Sequence, residues 1–282
     1  MFAIDRTDST KLTMVGKPVA VNGEFPNTVA ASLKNKVVCV GSSGAKAGVS
    51  CSSFSDKGMG PMDNLRPFDL GQTTPPVGPL NTVSQAFFSD DEKTLFTTVK
   101  GDPTKNNTGF LASFSVCGSV SQEGSRSSPD GTAVLFGSTI IPGSTDIFVT
   151  DASFGGAVLS VSNNLATVKG KAAIDGQKAT CWATFSPATK TAFVTDVGTN
   201  KIVEMSATDA SIVGQIDLSA NGDPGLVDLK AAGNFIYALS PGNGTTPPAI
   251  TVVDATTKKQ VQHQVLDGMG ASKNAQGIAV HL

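Results

Sequence analysis

The sequence predicts an all-β protein of the β-propeller class, built from four-stranded antiparallel blades. Three observations support this class: short apolar runs recur, clusters of Gly, Pro, Asn and Asp separate them, and no stretch keeps helical apolar spacing over three turns. Only Asp175 to Thr180 fits a short helical turn. The length of 282 residues allows one large domain or two small ones, and the repeats favour a single domain over residues 1–282.

The repeat consists of an apolar strand, a small polar turn and a second strand. It occurs five times, with its two strands at 37–40 and 49–51, 95–99 and 109–114, 147–151 and 157–161, 192–196 and 201–205, and 236–240 and 249–254. The copies start 58, 52, 45 and 44 residues apart, near the roughly 40 to 50 residues of a four-stranded propeller blade. The period therefore assigns each copy to one blade.

Further strands complete the blades on either side of each pair. Innermost strands are predicted at 27–32, 83–88 and 180–185, and outer strands at 65–70, 212–218 and 260–265. Pro67 suits an outermost strand, because proline removes one donor from the hydrogen-bond ladder and an edge tolerates that loss.

The two ends of the chain resemble parts of blades. Residues 2–5 and 11–15 look like a third and a fourth strand, and residues 276–282 look like an innermost strand. We therefore expect five complete blades and two half-blades. Because an open propeller leaves strand edges unpaired, we expect the natural protein to extend at its N-terminus. The extension would supply a signal peptide and about one more blade, giving about seven blades in all.

The four cysteines include one pair that suits a disulfide. Cys39 and Cys51 lie on strands either side of a turn centred on residue 45, and directly opposed residues of a hairpin bring their Cβ atoms within disulfide range. The alternative is two small buried thiols, which is also the default for Cys117 and Cys181.

Composition excludes several classes of partner. The 21 Lys and Arg residues balance 23 Asp and Glu to a net charge of -2, which disfavours nucleic acid as a partner. No apolar run approaches the roughly 20 residues of a membrane span. The cysteines and the two histidines lack metal-ligand spacing, so we expect no metal, no cofactor and a monomer.

Glycosylation acceptor patterns begin at Asn106 and Asn243 in turn-rich segments, although chance also produces such patterns.

The repeats resemble the seven-bladed lactonase-like propellers, which include carboxymuconate cyclases and 6-phosphogluconolactonases. The motif Phe-Val-Thr-Asp recurs at 148–151 and 193–196 and is similar to the Tyr-Val-Thr-Asn signature of such repeats. Residues 175–182 and 219–226 look like fungal secreted proteins named as carboxymuconate cyclase-like. The resemblance implies a secreted or cell-wall fungal protein with lactone-forming or lactone-opening activity. It also implies His, Arg and carboxylate residues at the mouth of a central channel.

The sequence departs from that pattern in its charged residues. Its only arginines and histidines are Arg6, Arg66, Arg126, His263 and His281. Arg66 and His263 lie on predicted outer strands, and a solvated surface role is expected for His263. The best ionisable candidates lie in loops before inner strands: Lys178 as an anion-binding cation, and Asp175 or Asp223 as a proton carrier.

Neutral side chains on the inner strands complete the candidate site. The ligand-binding candidates are Gln85, Trp182, Asn274 and Gln276, since amides can orient a ligand without carrying a proton. Core packing is the alternative role for Trp182. Two functions remain open: a non-catalytic binding or surface scaffold, favoured by the few charges near the channel, and a cycloisomerase or lactonase acting on a small carboxylated substrate.

Overall fold

The computed structural model describes residues 1–280 and confirms an all-β propeller. Five antiparallel sheets follow one another along the chain, each formed by strands adjacent in sequence. Within the described residues, helix is limited to two 3-10 turns, Pro103–Lys105 and Ser219–Asn221. The predicted helical turn at 175–180 is wrong: residues 175–179 form a non-helical loop and Thr180 begins a strand.

A short hairpin precedes the five blades. Its strands are β1 (Phe2–Ile4) and β2 (Leu12–Met14), which pair with each other and with no other strand of residues 1–280. Blade one contains β3 (Pro26–Ser32), β4 (Val37–Ser42) and β5 (Gly48–Ser55), with β6 (Gly58–Met59) and β7 (Arg66–Pro67) both on β5. The predicted strand at 65–70 is therefore only two residues long, and Pro67 does lie at an edge.

The other four blades each contain four strands in sequence order. Blade two contains β8 (Val83–Phe88), β9 (Thr94–Val99), β10 (Phe110–Cys117) and β11 (Ser119–Ser127). Blade three contains β12 (Leu135–Ile140), β13 (Ile147–Asp151), β14 (Gly155–Ser162) and β15 (Leu165–Ala173). Blade four contains β16 (Thr180–Ser186), β17 (Thr191–Asp196), β18 (Thr199–Ser206) and β19 (Ile212–Asp217). Blade five contains β20 (Asp228–Ala232), β21 (Phe235–Ser240), β22 (Ala249–Asp254) and β23 (Lys259–Val265).

The predicted innermost strand at 276–282 is wrong over the described residues. Residues 276–280 form no strand, while positions 281 and 282, including His281, lie outside the described part of the chain. The segment instead reaches β20 through one hydrogen bond, in which the Ile278 backbone N–H donates to Asp228 Oδ2 at 2.8 Å.

Apolar clusters between successive blades form the core. One cluster joins blades one and two around Val49 and Phe114, and the next joins blades two and three around Phe96 and Leu135. A third joins blades three and four, and a fourth joins blades four and five around Phe193 and Ile236. Burial of these side chains, at about 25 cal/mol per Å² of apolar surface, holds the sheets face to face.

The recurring Phe-Val-Thr-Asp motif has a structural role in blade three. Thr150 accepts the Gly137 N–H through its hydroxyl oxygen and donates to the Cys181 carbonyl of blade four at 2.7 Å, linking neighbouring inner strands. Asp151 is fully buried and accepts the backbone N–H groups of Ala133, Val134 and Ser153. The motif therefore fixes the loop that leads into the inner strand of its own blade.

The predicted disulfide is confirmed. Cys39 and Cys51 are directly opposed across β4 and β5 and are bonded to each other. Arg66 lies beside them, almost fully buried, with its guanidinium bonded to Asp63 and to the Val120 carbonyl of blade two. Blade one is thereby held both within its own sheet and against its neighbour.

Candidate functional site

A cavity of about 680 Å³ lies where the inner strands converge. Its walls come from β3, β8, β16 and β20, together with the extended segment 276–279. The volume falls within the roughly 300 to 1,000 Å³ of small-molecule sites. We call this space the channel cavity.

Trp182 gives the channel cavity an aromatic wall. The Trp182 ring packs edge-on against Phe136, with centroids 5.8 Å apart. This contact requires close approach of β12 and β16, and Gly137 allows it, because a Cβ there would lie 2.6 Å from the Trp182 Cα. A larger residue at position 137 would therefore push the two aromatic rings apart.

One lysine ammonium lies beside this aromatic wall, inside the cavity. The Lys230 Nζ lies 5.9 Å from the Trp182 centroid, and within residues 1–280 it has no carboxylate within ion-pair distance. A half-buried cation against a π face is held by the ring quadrupole, and its charge remains available to an anion.

A second charged group in the cavity is a buried carboxyl. Asp228 is only 4 % exposed, and its oxygens accept the backbone N–H groups of Leu229 and Ile278. Loss of solvation raises the pKa of Asp228, although the Lys230 charge and the two N–H donors oppose that rise. The group is therefore easier to protonate than an exposed aspartate.

Gln85 supplies an oriented amide. Its Oε1 accepts the Ser138 backbone N–H at 2.6 Å, which fixes the identity of the oxygen and leaves the NH₂ group as a donor. Within residues 1–280 no acceptor is bonded to that NH₂ group. Because Gln85 lines the cavity, this donor is preorganised for an acceptor on a ligand.

Of the ligand-binding candidates named from sequence, three line the channel cavity. Gln85, Trp182 and Gln276 belong to its wall, whereas Asn274 is exposed outside it. Sequence reasoning missed Asp228 and Lys230. The available signal was the alternation of charged and apolar residues from 228 to 231, which is typical of a strand with one polar face.

The three residues named as catalytic lie outside the cavity wall. Asp175 and Lys178 are exposed. The Lys178 backbone N–H donates to Asp196 Oδ2 at 2.6 Å, and Asp196 also accepts the Gly198 N–H. The loop thus repeats in blade four the arrangement made by Asp151 in blade three.

Asp223 is buried between blades four and five and pairs with His263. The His263 Nε2 lies 3.2 Å from both Asp223 oxygens, and the Thr251 hydroxyl lies 3.5 Å from one of them. His263 is on an outer strand as predicted, but the prediction of a solvated side chain is wrong, since only 20 % of it is exposed. The pair ties the connection between blades four and five to the outer strands of blade five, away from the cavity wall.

The proposed modification sites are at the surface. Asn106 and Asn243 are both exposed, and Asn243 Oδ1 accepts the backbone N–H groups of Thr245 and Thr246. Cys117 is an exposed free thiol and Cys181 a buried one. No helix within residues 1–280 is long and apolar enough to cross a membrane.

Comparison with known proteins identifies the fold. No protein-family model and no curated protein matches the chain. Among solved structures, a Lactobacillus plantarum protein is 14 % identical, with a TM-score of 0.67 over 94 % of this chain and 77 % of its own. A proposed 6-phosphogluconolactonase from Bacteroides uniformis is 15 % identical, with a TM-score of 0.63 over 84 % of this chain and 71 % of its own.

A nidogen/laminin complex gives a TM-score of 0.59 at 11 % identity, over 94 % of this chain and 88 % of that one. Identities this low carry information about architecture and not about activity. The chain therefore has a β-propeller fold that is similar to that of the proposed 6-phosphogluconolactonase.

Proposed function

We propose that this propeller binds a small organic carboxylate in the channel cavity, between Lys230, Trp182 and Gln85. The observation that carries the proposal is the Lys230 ammonium, which lies on the Trp182 ring without an ion-pair partner within residues 1–280. An unpaired cation in a half-enclosed space favours a negatively charged occupant.

The other cavity groups define the class of ligand. The Gln85 NH₂ group suits a carboxylate or lactone oxygen, and the Trp182 face suits a planar unsaturated body. Asp228 opposes a highly charged anion while ionised, because like charges at about 4 Å repel by about 1 kcal/mol even in water. A small mono- or dicarboxylate with a planar carbon frame meets all three conditions.

The experiment uses the intrinsic fluorescence of Trp182, the single tryptophan of the chain. Muconate, a planar dicarboxylate, is titrated into the protein, with its dimethyl ester as the uncharged control. We expect saturable quenching by the diacid, and Lys230→Ala should weaken binding roughly tenfold to a hundredfold, as for loss of one charge-assisted hydrogen bond.

Lys178→Ala is the matched control, because Lys178 is exposed and lies outside the cavity wall. Its affinity for muconate should equal that of the wild type. Equal loss in both variants, or equal quenching by acid and ester, would contradict the proposal.

A second candidate is lactone chemistry at the same site, favoured by Asp228. A buried carboxyl with a raised pKa can deliver a proton to the ring oxygen of a lactone as water adds to its carbonyl and the ring C–O bond breaks. Asp228→Asn should keep ligand binding and abolish turnover of simple lactones. A wild type that binds muconate and turns over neither carboxymuconate nor lactones would leave only the binding role.

We also propose that the protein acts outside the cell, as a glycosylated surface or cell-wall scaffold. The Cys39–Cys51 disulfide and the exposed Asn106 and Asn243 support this location. Mass analysis of the native protein, before and after removal of N-glycans, tests it. Unmodified Asn106 and Asn243 together with reduced cysteines would contradict it.

A further inference from the structure

The Lys100 side chain is a half-buried amine that the proposed function does not use. It follows β9 directly, and its backbone N–H donates to the Thr82 carbonyl. Its Nζ lies 4.2 Å from the centroid of the Phe136 ring. Within residues 1–280 it has neither a carboxylate within ion-pair distance nor a hydrogen-bond acceptor.

An open recess of about 210 Å³ gives access to Lys100. This volume exceeds the cavity of about 150 Å³ that takes up benzene in another protein. The apolar residues that line the recess are Phe25, Pro76, Pro79 and Val83. Within residues 1–280, no acidic residue lines it. The hydroxyls in its wall are occupied, because Ser43 donates to Asn27 and Thr82 donates to the Pro79 carbonyl.

These surroundings weaken the hold of Lys100 on its proton. Burial lowers the pKa of Lys100 to about 8. Among residues 1–280, the one titratable neighbour that contributes is Cys181 of β16, which acts in the opposite direction. Burial raises the pKa of that thiol, so it stays neutral. About a tenth of such an amine is unprotonated near neutral pH, roughly two hundredfold more than for an ordinary lysine.

We propose that Lys100 is a nucleophilic amine that captures small apolar aldehydes as imines. The Nζ lone pair attacks the aldehyde carbon, the C=O π bond opens, and the oxygen leaves as water after taking up the two nitrogen protons. One C=N bond replaces one C=O bond, so no oxidant or reductant is consumed. The apolar recess, which Lys100 helps to line, fits the hydrocarbon body of the aldehyde. The Phe136 ring, 4.2 Å from the Nζ atom, contacts the amine.

The test is reductive trapping on the intact protein. Benzaldehyde and cyanoborohydride are added near neutral pH, and peptide mass mapping follows the benzyl group on each lysine with time. Lys57, which is exposed, is the internal reference. We expect Lys100 to be labelled at least tenfold faster than Lys57, with a rate that rises through about pH 8. Labelling of Lys100 no faster than Lys57 would overturn the proposal.

Three further measurements separate this proposal from the carboxylate site. Glyoxylate, a charged aldehyde, should label Lys100 more slowly than benzaldehyde does, and equal rates would contradict an apolar recess. Lys230→Ala should lose muconate binding and keep Lys100 labelling. Lys100→Arg, checked for folding by circular dichroism, should lose the fast labelling by benzaldehyde and keep muconate binding. Fast labelling that persists in this variant would place the reactive amine elsewhere and contradict the proposal.

Discussion

The Ile278 backbone N–H donates a 2.8 Å hydrogen bond to the Asp228 carboxyl and ties the end of the described chain to the channel wall. The same carboxyl accepts the Leu229 N–H. Asp228 thus links the course of the chain to the electrostatics of the channel cavity, because it holds a backbone donor and also lines the cavity.

Anion binding in the channel should strengthen as the pH falls through the raised pKa of Asp228. Below that pKa the carboxyl is neutral and no longer repels a ligand. Removing about 1 kcal/mol of repulsion corresponds to about a fivefold gain in affinity. Benzenesulfonate is a suitable probe, since it stays ionised. Trp182 fluorescence gives its affinity across the acid range, and Asp228→Asn should remove the pH dependence. The same slope in both proteins would contradict the prediction.

Lys100→Met should stabilise the protein near neutral pH. The folded-state pKa of about 8 lies below that of an unfolded lysine, so the unfolded chain binds the proton more tightly and the wild type gains stability as pH rises from about 8 to about 10.4. Loss of the Phe136 contact offsets part of the benefit, which leaves about 1 kcal/mol at neutral pH.

Urea unfolding at several pH values measures that difference. The advantage of Lys100→Met should disappear above about pH 10. Lys57→Met, at an exposed position, should show no such trend. A variant less stable than the wild type at neutral pH would contradict the prediction.

Replacing Cys39 and Cys51 together by alanine should lower the free energy of unfolding by about 3 kcal/mol. The bond closes a loop with a sequence separation of 12, and loop-closure entropy in the unfolded chain gives about that value. Denaturant titration of the double variant measures it. Cys117→Ala, at an exposed free thiol, should be unchanged, and equal losses in the two variants would argue against the role of the bond.

Asp151→Ala should destabilise the protein by about 3 kcal/mol, because three buried backbone N–H groups lose a charged acceptor. Asp209 is the matched control: its carboxylate accepts the Ser211 N–H in an exposed turn, and its removal should change stability by less than about 1 kcal/mol. Thermal or urea unfolding measures both variants. Similar losses of stability in the two variants would show that the buried hydrogen bonds of Asp151 do not stabilise the protein more than an exposed turn does.

The sequence predicted the fold and the disulfide because both depend on local patterns. The spacing of paired strands identifies a blade, since a propeller repeats one supersecondary unit. Cys39 and Cys51 were paired by hairpin symmetry, which fixes register within a few residues of the turn. Gln85 and Trp182 followed from position alone, because inner strands surround a common axis.

The acid, base and cation assignments depend on three-dimensional neighbours that sequence does not show. Lys178 and Asp223 were chosen because they precede inner strands, but a backbone bond to Asp196 and the His263 partner place them in structural contacts. Segment 276–280 has the alternation of a strand, yet no neighbouring strand edge pairs with it, so it stays extended without a ladder.

The chain alone therefore determined its repeat, its class and its one disulfide, since strand periodicity and turn composition are encoded over short distances. Only the tertiary structure decided that Lys230 meets Trp182, that Lys100 meets Phe136 and that Asp228 is buried. The two contacts each join different blades, and burial shifts the pKa of Lys100 downward and that of Asp228 upward.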